Sequence, residues 1–392
     1  MKIPQGYKQT ELGIIPEDWE IVELGRGLSF QVGFPFVSNY FNVDAIGLRL
    51  VRNRDLKADD QILYYSGQYK TEYVVRNGDV LVGMDGDFLP CLWRKGYALL
   101  NQRVGRIIVR NDWNPKFLFY LLFEPLLHRQ EETGATTVKH LSHKDIERMQ
   151  LPIPSLIEQK SIAQALSDVD ALIAVLDKKI AKKRLIKQGV MQYFASKKLL
   201  NEKVRIGELG KWGKGQSFSK EQILPNGKYK CIHYGELFGY NEVIDRIKST
   251  TNTQPIKKSS GRDILFPASD VTPIGLGRCS ALQSNDILLG GDIIILELKN
   301  EYAPAYISYI INQNKQQIIN RVTGTTVKHI NSRQLSEIII EITKNKKEQM
   351  VIATILSDMD KEIVDLEARR DKYKLIKSGM MQKLLTGQIR LI

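Results

Sequence analysis

The phrase LIKQGVMQ at Leu185 returns as LIKSGMMQ at Leu375, and it does not return alone. TTVKHL at Thr136 recurs as TTVKHI at Thr325, and EQKSIAQALSDVD at Glu158 recurs as EQMVIATILSDMD at Glu348. The order is kept, with a one-residue adjustment somewhere between the TTVKH and EQ matches. A chain that repeats itself this way is constrained to fold as two copies of one unit, and 392 residues are enough for two cores. The repeat also reaches backwards. NPKFLFYLLF at Asn114 aligns with APAYISYIIN at Ala303, VELG at Val22 with GELG at Gly207, and LVRNRDL at Leu50 with CIHYGEL at Cys231. Agreement is tight in the segments after the EQ match and scattered before it.

The tight segments, about 158–196 and 348–386, have helical periodicity. Ile162, Leu166, Val169, Ile173, Leu176 and Ile180 alternate four and three apart, and Ile352, Leu356, Met359, Ile363 and Leu366 keep the same register, resumed at Tyr373. A helix of about 39 residues is ~58 Å long. Two such stripes in one chain can cover each other, and a two-fold relation between the copies would make the pair antiparallel. Gly189 and Gly379 occupy matching helical positions, either for close backbone contact or as tolerated residues inherited from one duplication. The globular parts are mixed, with strands dominant. YVVRNGDVLVGM and GRDILFPASD read as strand–turn–strand, VGRIIVR and GDIIILELK as buried strands, and the segments from Pro115 and Pro304 as helices with proline in the first turn. The expected fold class is α+β, with two pseudo-repeated mixed globular domains separated by a long antiparallel two-helix coiled coil. The expected boundaries are 1–156, 157–198, 199–345 and 346–392.

Lys and Arg exceed Asp and Glu by 57 to 44, for a net charge of +13 and a pI near 9.4. That balance attracts a polyanion, nucleic acid first, and no long apolar run or lipidation motif favours a membrane. The polar N-terminus carries no apolar signal region, and Cys91, Cys231 and Cys279 form neither a disulfide framework nor a zinc pattern, so a cytoplasmic protein is expected. No metal site is expected.

Catalytic motifs are weak. NPKF lacks the second proline of the loop that holds an amine in amino-methyltransferases. ELK at Glu297 has no acidic counterpart in the first copy, and GKWGKG departs from the phosphate-loop spacing. The basic features are more informative. Arg49, Arg52 and Arg54 sit together after a strand, as guanine-reading or phosphate-clamping forks or as a solvated turn. Lys139 and His140, with Lys328 and His329, follow paired threonines and suit phosphate contacts or a structural cap. Lys214, Lys220, Lys230 and His233 lie among aromatic residues and add a diffuse cationic footprint.

Taken with GYKQTELGIIPEDWEIVELG, GFPFVSNYF, LVRNRDL, TTVKHLSHKDIERMQLPIPS and the twofold EQ–LSD–LIK helices, the chain resembles the specificity subunit of type I restriction-modification systems, HsdS, over essentially its whole length. The resemblance implies a non-catalytic subunit with two target recognition domains, each binding one half of a bipartite asymmetric double-stranded DNA target. It implies helical regions that space the half-sites and dock two methylation subunits, with restriction subunits joining them. S-adenosylmethionine, ATP and magnesium would then belong to those partners, and none to this chain. One departure is that the proline-rich LPIP exit of the first domain is EITK in the second.

Overall fold

The computed structural model describes residues 3–110, 113–132, 140–196 and 201–392. Two compact units emerge, Met1–Leu176 with Arg369–Ile392, and Asp177–Ala368. The two long helices run Leu156–Ser196 and Lys346–Leu384, and each gives its first part to one unit and its second part to the other.

The first globular domain is built on a four-stranded antiparallel sheet in the order Pro90–Leu92, Val80–Gly83, Val104–Val109, Leu28–Val32. The second has the same layout in Ser280–Leu282, Asp263–Pro267, Ile293–Leu298, Gly210–Lys214. Each domain adds another sheet with one parallel pair at its heart, Leu48–Val51 with Ala98–Leu100 and Tyr229–His233 with Asn285–Gly290. The faint LVRNRDL/CIHYGEL echo is therefore structural. After each parallel strand a carboxylate three residues on caps the chain, Asp55 accepting from the Arg52 amide and Glu236 from the His233 amide. Asn77-Gly78 forms its turn with Gly78 at φ 99°, but the flanking strands Val74–Val75 and Val80–Gly83 go to different sheets, so the expected strand–turn–strand is not a hairpin. The proline-started helices form at Pro115–Leu121 and Pro304–Gln313, the first with the Asn114 side chain accepting from the Phe117 amide.

The EQ pairs anchor each long helix to its own domain. The Gln159 carboxamide accepts from the Asn114 amide at 2.9 Å and donates to the Pro154 carbonyl; Gln349 does the same for Ala303 and Thr343. Both glutamines are buried, so each satisfies two backbone groups that water cannot reach. Pro154 and Thr343 thus occupy the same place, and the one-residue adjustment falls between Thr343 and Lys346, where Asn345 caps the second helix. LPIP and EITK end in equivalent strands, Gln150–Ile153 and Ile339–Thr343.

The heptad stripe has a different use at its start from the one expected. Ile162 and Leu166 are buried in the core of the first domain, and Ile352, Leu356 and Met359 pack on that of the second. The first turns of each stripe therefore face their own domain, which supplies a large apolar surface near the helix origin. Farther along, Leu176, Ile180, Ile363 and Leu366 are buried, Val169 and Ile173 are half-buried, and half-buried Tyr373 lies beneath Arg369.

The repeated LSDVD/LSDMD and LIK letters converge on one arrangement made twice. In the first unit Asp170 accepts from the Tyr120 hydroxyl at 2.7 Å and pairs with Lys377 at 2.7 Å. In the second, Asp360 accepts from Tyr309 at 2.7 Å and pairs with Lys187 at 2.6 Å. Each lysine also lies over the ring of its tyrosine, at 5.4 and 5.0 Å. Within each unit, ion pairs link one long helix to the other or to the residues just past its end. Glu158 meets Arg390 and Asp170 meets Lys377 in the first, while Lys183 meets Glu362 and Lys187 meets Asp360 in the second.

Close backbone contact does not explain Gly189 and Gly379, because a Cβ added at either meets nothing within 4 Å. Gly189→Ala and Gly379→Ala are each expected to stabilise the chain by about 0.5–1 kcal/mol through helix propensity alone, read as a shift of the urea midpoint at constant slope.

Candidate nucleic-acid interface

In the first domain the arginine loop is folded on itself. Arg49 pairs with Asp59 and stacks 5.0 Å from the Trp93 ring, and its side chain is only 10% exposed. Arg52 makes two 2.9 Å bonds to Asp55 and a third to the Gln61 carbonyl. Arg54, half-exposed, reaches Asp60 at 3.2 Å. Asp55, three residues after Arg52, and Asp59 and Asp60 farther along the loop thus pair with the three arginines offered by the sequence as forks for DNA or as a solvated turn. Hydrogen bonds from Arg49 and Lys95 pull the Asp59 pKa down to about 2. A carboxylate depressed below its unfolded value of 3.8 stabilises fully above that pH and progressively less as pH falls towards 2. The Asp59 carboxyl resonance is expected to titrate near pH 2, and Arg49→Ala is expected to return it towards 4; an unshifted wild-type resonance would contradict the pairing.

Lys139 lies outside the described residues. His140 Nδ1 lies 2.9 Å from Asp85 Oδ1, and Arg103 Nη1 lies 2.5 Å from Asp85 Oδ2. Burial raises the Asp85 pKa, but bonds from His140 and Arg103 outweigh it and hold the carboxyl below its usual range. The His140 backbone bridges to Asp85, just as Lys328–His329 pairs with Ser269–Asp270 in the second domain. There Thr323–Val327 is exposed, and Lys328 Nζ donates to the Gly324 carbonyl at 2.7 Å.

The remaining cations are spread over the second domain. Lys214 is exposed, 3.5 Å from Asp292, and Lys220 and Lys230 are exposed. His233 Nδ1 accepts from the Gly235 amide, and its ring lies 4.7 Å from Tyr234 and 6.3 Å from Phe218. His140 and His329 thus hold equivalent positions beside a strand-end loop. Sequence reasoning overlooked Arg103, saw Asp292 only as a possible carboxylate upstream of Glu297, and overlooked the buried Glu158 and Gln159 and the half-buried Asp170 and Asp360. The last four stood inside the repeated phrases, where invariant polar letters on an apolar stripe were the available signal.

Among the described residues no group of His, Cys, Asp and Glu is placed to hold a metal, and no helix is long and apolar enough to cross a membrane. The sequence profile of the type I restriction modification DNA specificity domain matches twice, at residues 16–183 and 200–375. The chain belongs to this specificity family. It is 38% identical over 180 residues to the EcoBI specificity subunit of Escherichia coli, a stretch covering 46% of this chain and 37% of that subunit. It is 22% identical over 438 aligned positions to the MjaVIII specificity subunit of Methanocaldococcus jannaschii, covering 98% and 96% of the two chains. The crystal structure of the type I system S subunit from M. genitalium matches this specificity chain with a TM-score of 0.67 at 14% identity, over 98% of each. That match reflects a shared fold.

Proposed function

We propose that this specificity-family chain is the non-catalytic address subunit of a type I restriction-modification complex. Each globular domain binds one half of a bipartite double-stranded DNA target. The long helices pair antiparallel as a coiled coil, space the half-sites and dock two methylation subunits, which the restriction subunits join. Adenine methylation with S-adenosylmethionine and cleavage with ATP and magnesium belong to those partners. The observation that carries this reading is the contrast between two domains of one topology with divergent surfaces and two helices with matching ones. Different half-sites need different surfaces, whereas two copies of one partner need the same surface twice. Leu185 and Leu375, in equivalent places, are 68% and 76% exposed, an apolar presentation that an identical partner can cover in both places. The net charge of +13 supports a polyanionic ligand, with phosphate contacts from His140, Lys328, His329 and the lysines of the second domain.

The test is binding of the complex with methylation subunits to a long duplex by fluorescence anisotropy. Affinity should fall steeply between about 50 and 200 mM salt, as expected when several phosphates are neutralised. Leu185→Glu with Leu375→Glu should abolish co-purification of the methylation subunits while leaving the thermal transition of the isolated chain in place. Salt-independent binding, or an undisturbed complex, would contradict the respective half of the proposal.

A further inference from the structure

We infer that Arg103 and Asp292 are specificity-determining residues, one in each domain, an inference that rests on the DNA-reading role proposed above. The two residues hold the same place. The Arg103 carbonyl accepts from the Met84 amide at 2.9 Å, and the Asp292 carbonyl accepts from the Ala268 amide at 2.9 Å. One residue on, Val104 and Ile293 accept from Gly33 and Gly215, both at 2.9 Å. At this turn the first domain carries a cation and the second an anion.

Both side chains are presented to solvent, Arg103 at 59% and Asp292 at 52% exposure, and each is steadied by an opposite charge of its own domain, Asp85 at 2.5 Å and Lys214 at 3.5 Å. Arg103 also holds a left-handed backbone, φ 72°, which disfavours a residue with a Cβ; the neighbouring turn position in the second domain is a glycine, Gly291, at φ 71°. Packing does not call for a strained arginine on an open turn.

The setting supplies the reason. Asp85 bonds Arg103 and His140 together, and the Ala268–Ser269 segment meets both Asp292 and His329. Each turn therefore abuts the end of a TTVKH segment, a sequence identical in the two domains whose second copy is exposed at 325–327. Two unlike half-sites share a phosphate backbone and differ in their bases. The invariant segment fits the shared chemistry and the variable turn beside it fits the differing chemistry. A guanidinium fork matches the O6 and N7 acceptors of guanine, and a carboxylate matches the N4 donor of cytosine.

The experiment is selection of bound duplexes from a randomised pool by the chain assembled with its methylation subunits, for wild type, Arg103→Gly, Arg103→Lys and Asp292→Ala. Arg103→Gly removes the left-handed strain, so the fold is kept, and size-exclusion of each complex checks assembly. The expected result is a bipartite wild-type sequence in which Arg103→Gly lowers discrimination about 10- to 100-fold at one or two positions of one half only. Asp292→Ala should do so in the other half, and Arg103→Lys should stay relaxed because the fork is lost. Intact complexes whose variants retain the wild-type base preferences would overturn the inference. So would a uniform loss at all sequences, or loss of the methylation subunits from the Arg103 variants, which would make this turn a phosphate or protein contact. A wild-type complex that selects no sequence defeats the DNA-reading role itself, an outcome distinct from the others.

Discussion

Glu158→Ala is expected to destabilise the chain by about 3 kcal/mol, whereas Glu348→Ala, the same change at the repeated position, is expected to cost about 1 kcal/mol or less. Glu158 is fully buried. Its carboxylate accepts from the Trp19 indole at 3.0 Å and takes two bonds from Arg390, at 2.7 and 2.8 Å. Removing it strands an indole N–H in the core and a guanidinium that is only 19% exposed. Asp18 still holds Arg390 through bonds of 2.8 and 2.7 Å, which keeps the loss near the low end for a broken buried pair. Glu348 is half-buried and bonds the Thr343 hydroxyl at 2.8 Å, a contact water can replace in part. Urea unfolding of the two variants measures the difference; equal losses would contradict the assigned asymmetry.

The second large effect concerns Lys187 and Asp360. Lys187→Met and Asp360→Leu are each expected to cost about 2–4 kcal/mol, and the double variant much less than their sum, so the cycle should give a coupling above about 1 kcal/mol. Their side chains are 12% and 16% exposed, so each single change leaves a poorly solvated charge; Glu242 remains 3.3 Å from Lys187, and Tyr309 would keep only Ser357. Burial already holds the Asp360 pKa above its usual value, against the pull of Lys187 and Tyr309. Without Lys187 it rises further. A raised folded pKa means that the folded state binds the proton more tightly, so Lys187→Met should lose stability as pH climbs from 3.8 through that pKa and recover on acidification. Additive single changes, or a variant indifferent to pH between 4 and 7, would contradict the pairing. The equivalent cycle at Lys377 and Asp170, exposed at 24% and 23%, should give a smaller coupling.

These two sites also show what could be read before the structure. The duplication, the two long helices and the strand of each VGRIIVR-like segment followed from periodicity and from proline at helix starts, both local properties. The partners of the repeated polar letters did not follow. Nothing in LSDMD or LIK says that Asp360 meets Lys187 across 173 residues, because that pairing depends on which chain segments pack together. The heptad pattern was legible, but a stripe does not name what covers it, and Ile162 and Ile352 turned out to serve the domain cores. The arginine loop was visible as charge; its aspartates, Asp55, Asp59 and Asp60, were visible too, and only the fold set them against Arg49, Arg52 and Arg54. Arg103 was passed over because a left-handed turn leaves no mark in composition when the residue is not glycine.

The central claim is that this chain gives a methylation complex its address as two half-sites read by two domains. Mapping methylated adenines genome-wide in cells with and without the chain tests it most directly. The account predicts a split motif, two specified parts separated by unspecified bases, that is modified only when the chain is present. Methylation that is unchanged by its removal, or confined to one uninterrupted motif, would contradict it.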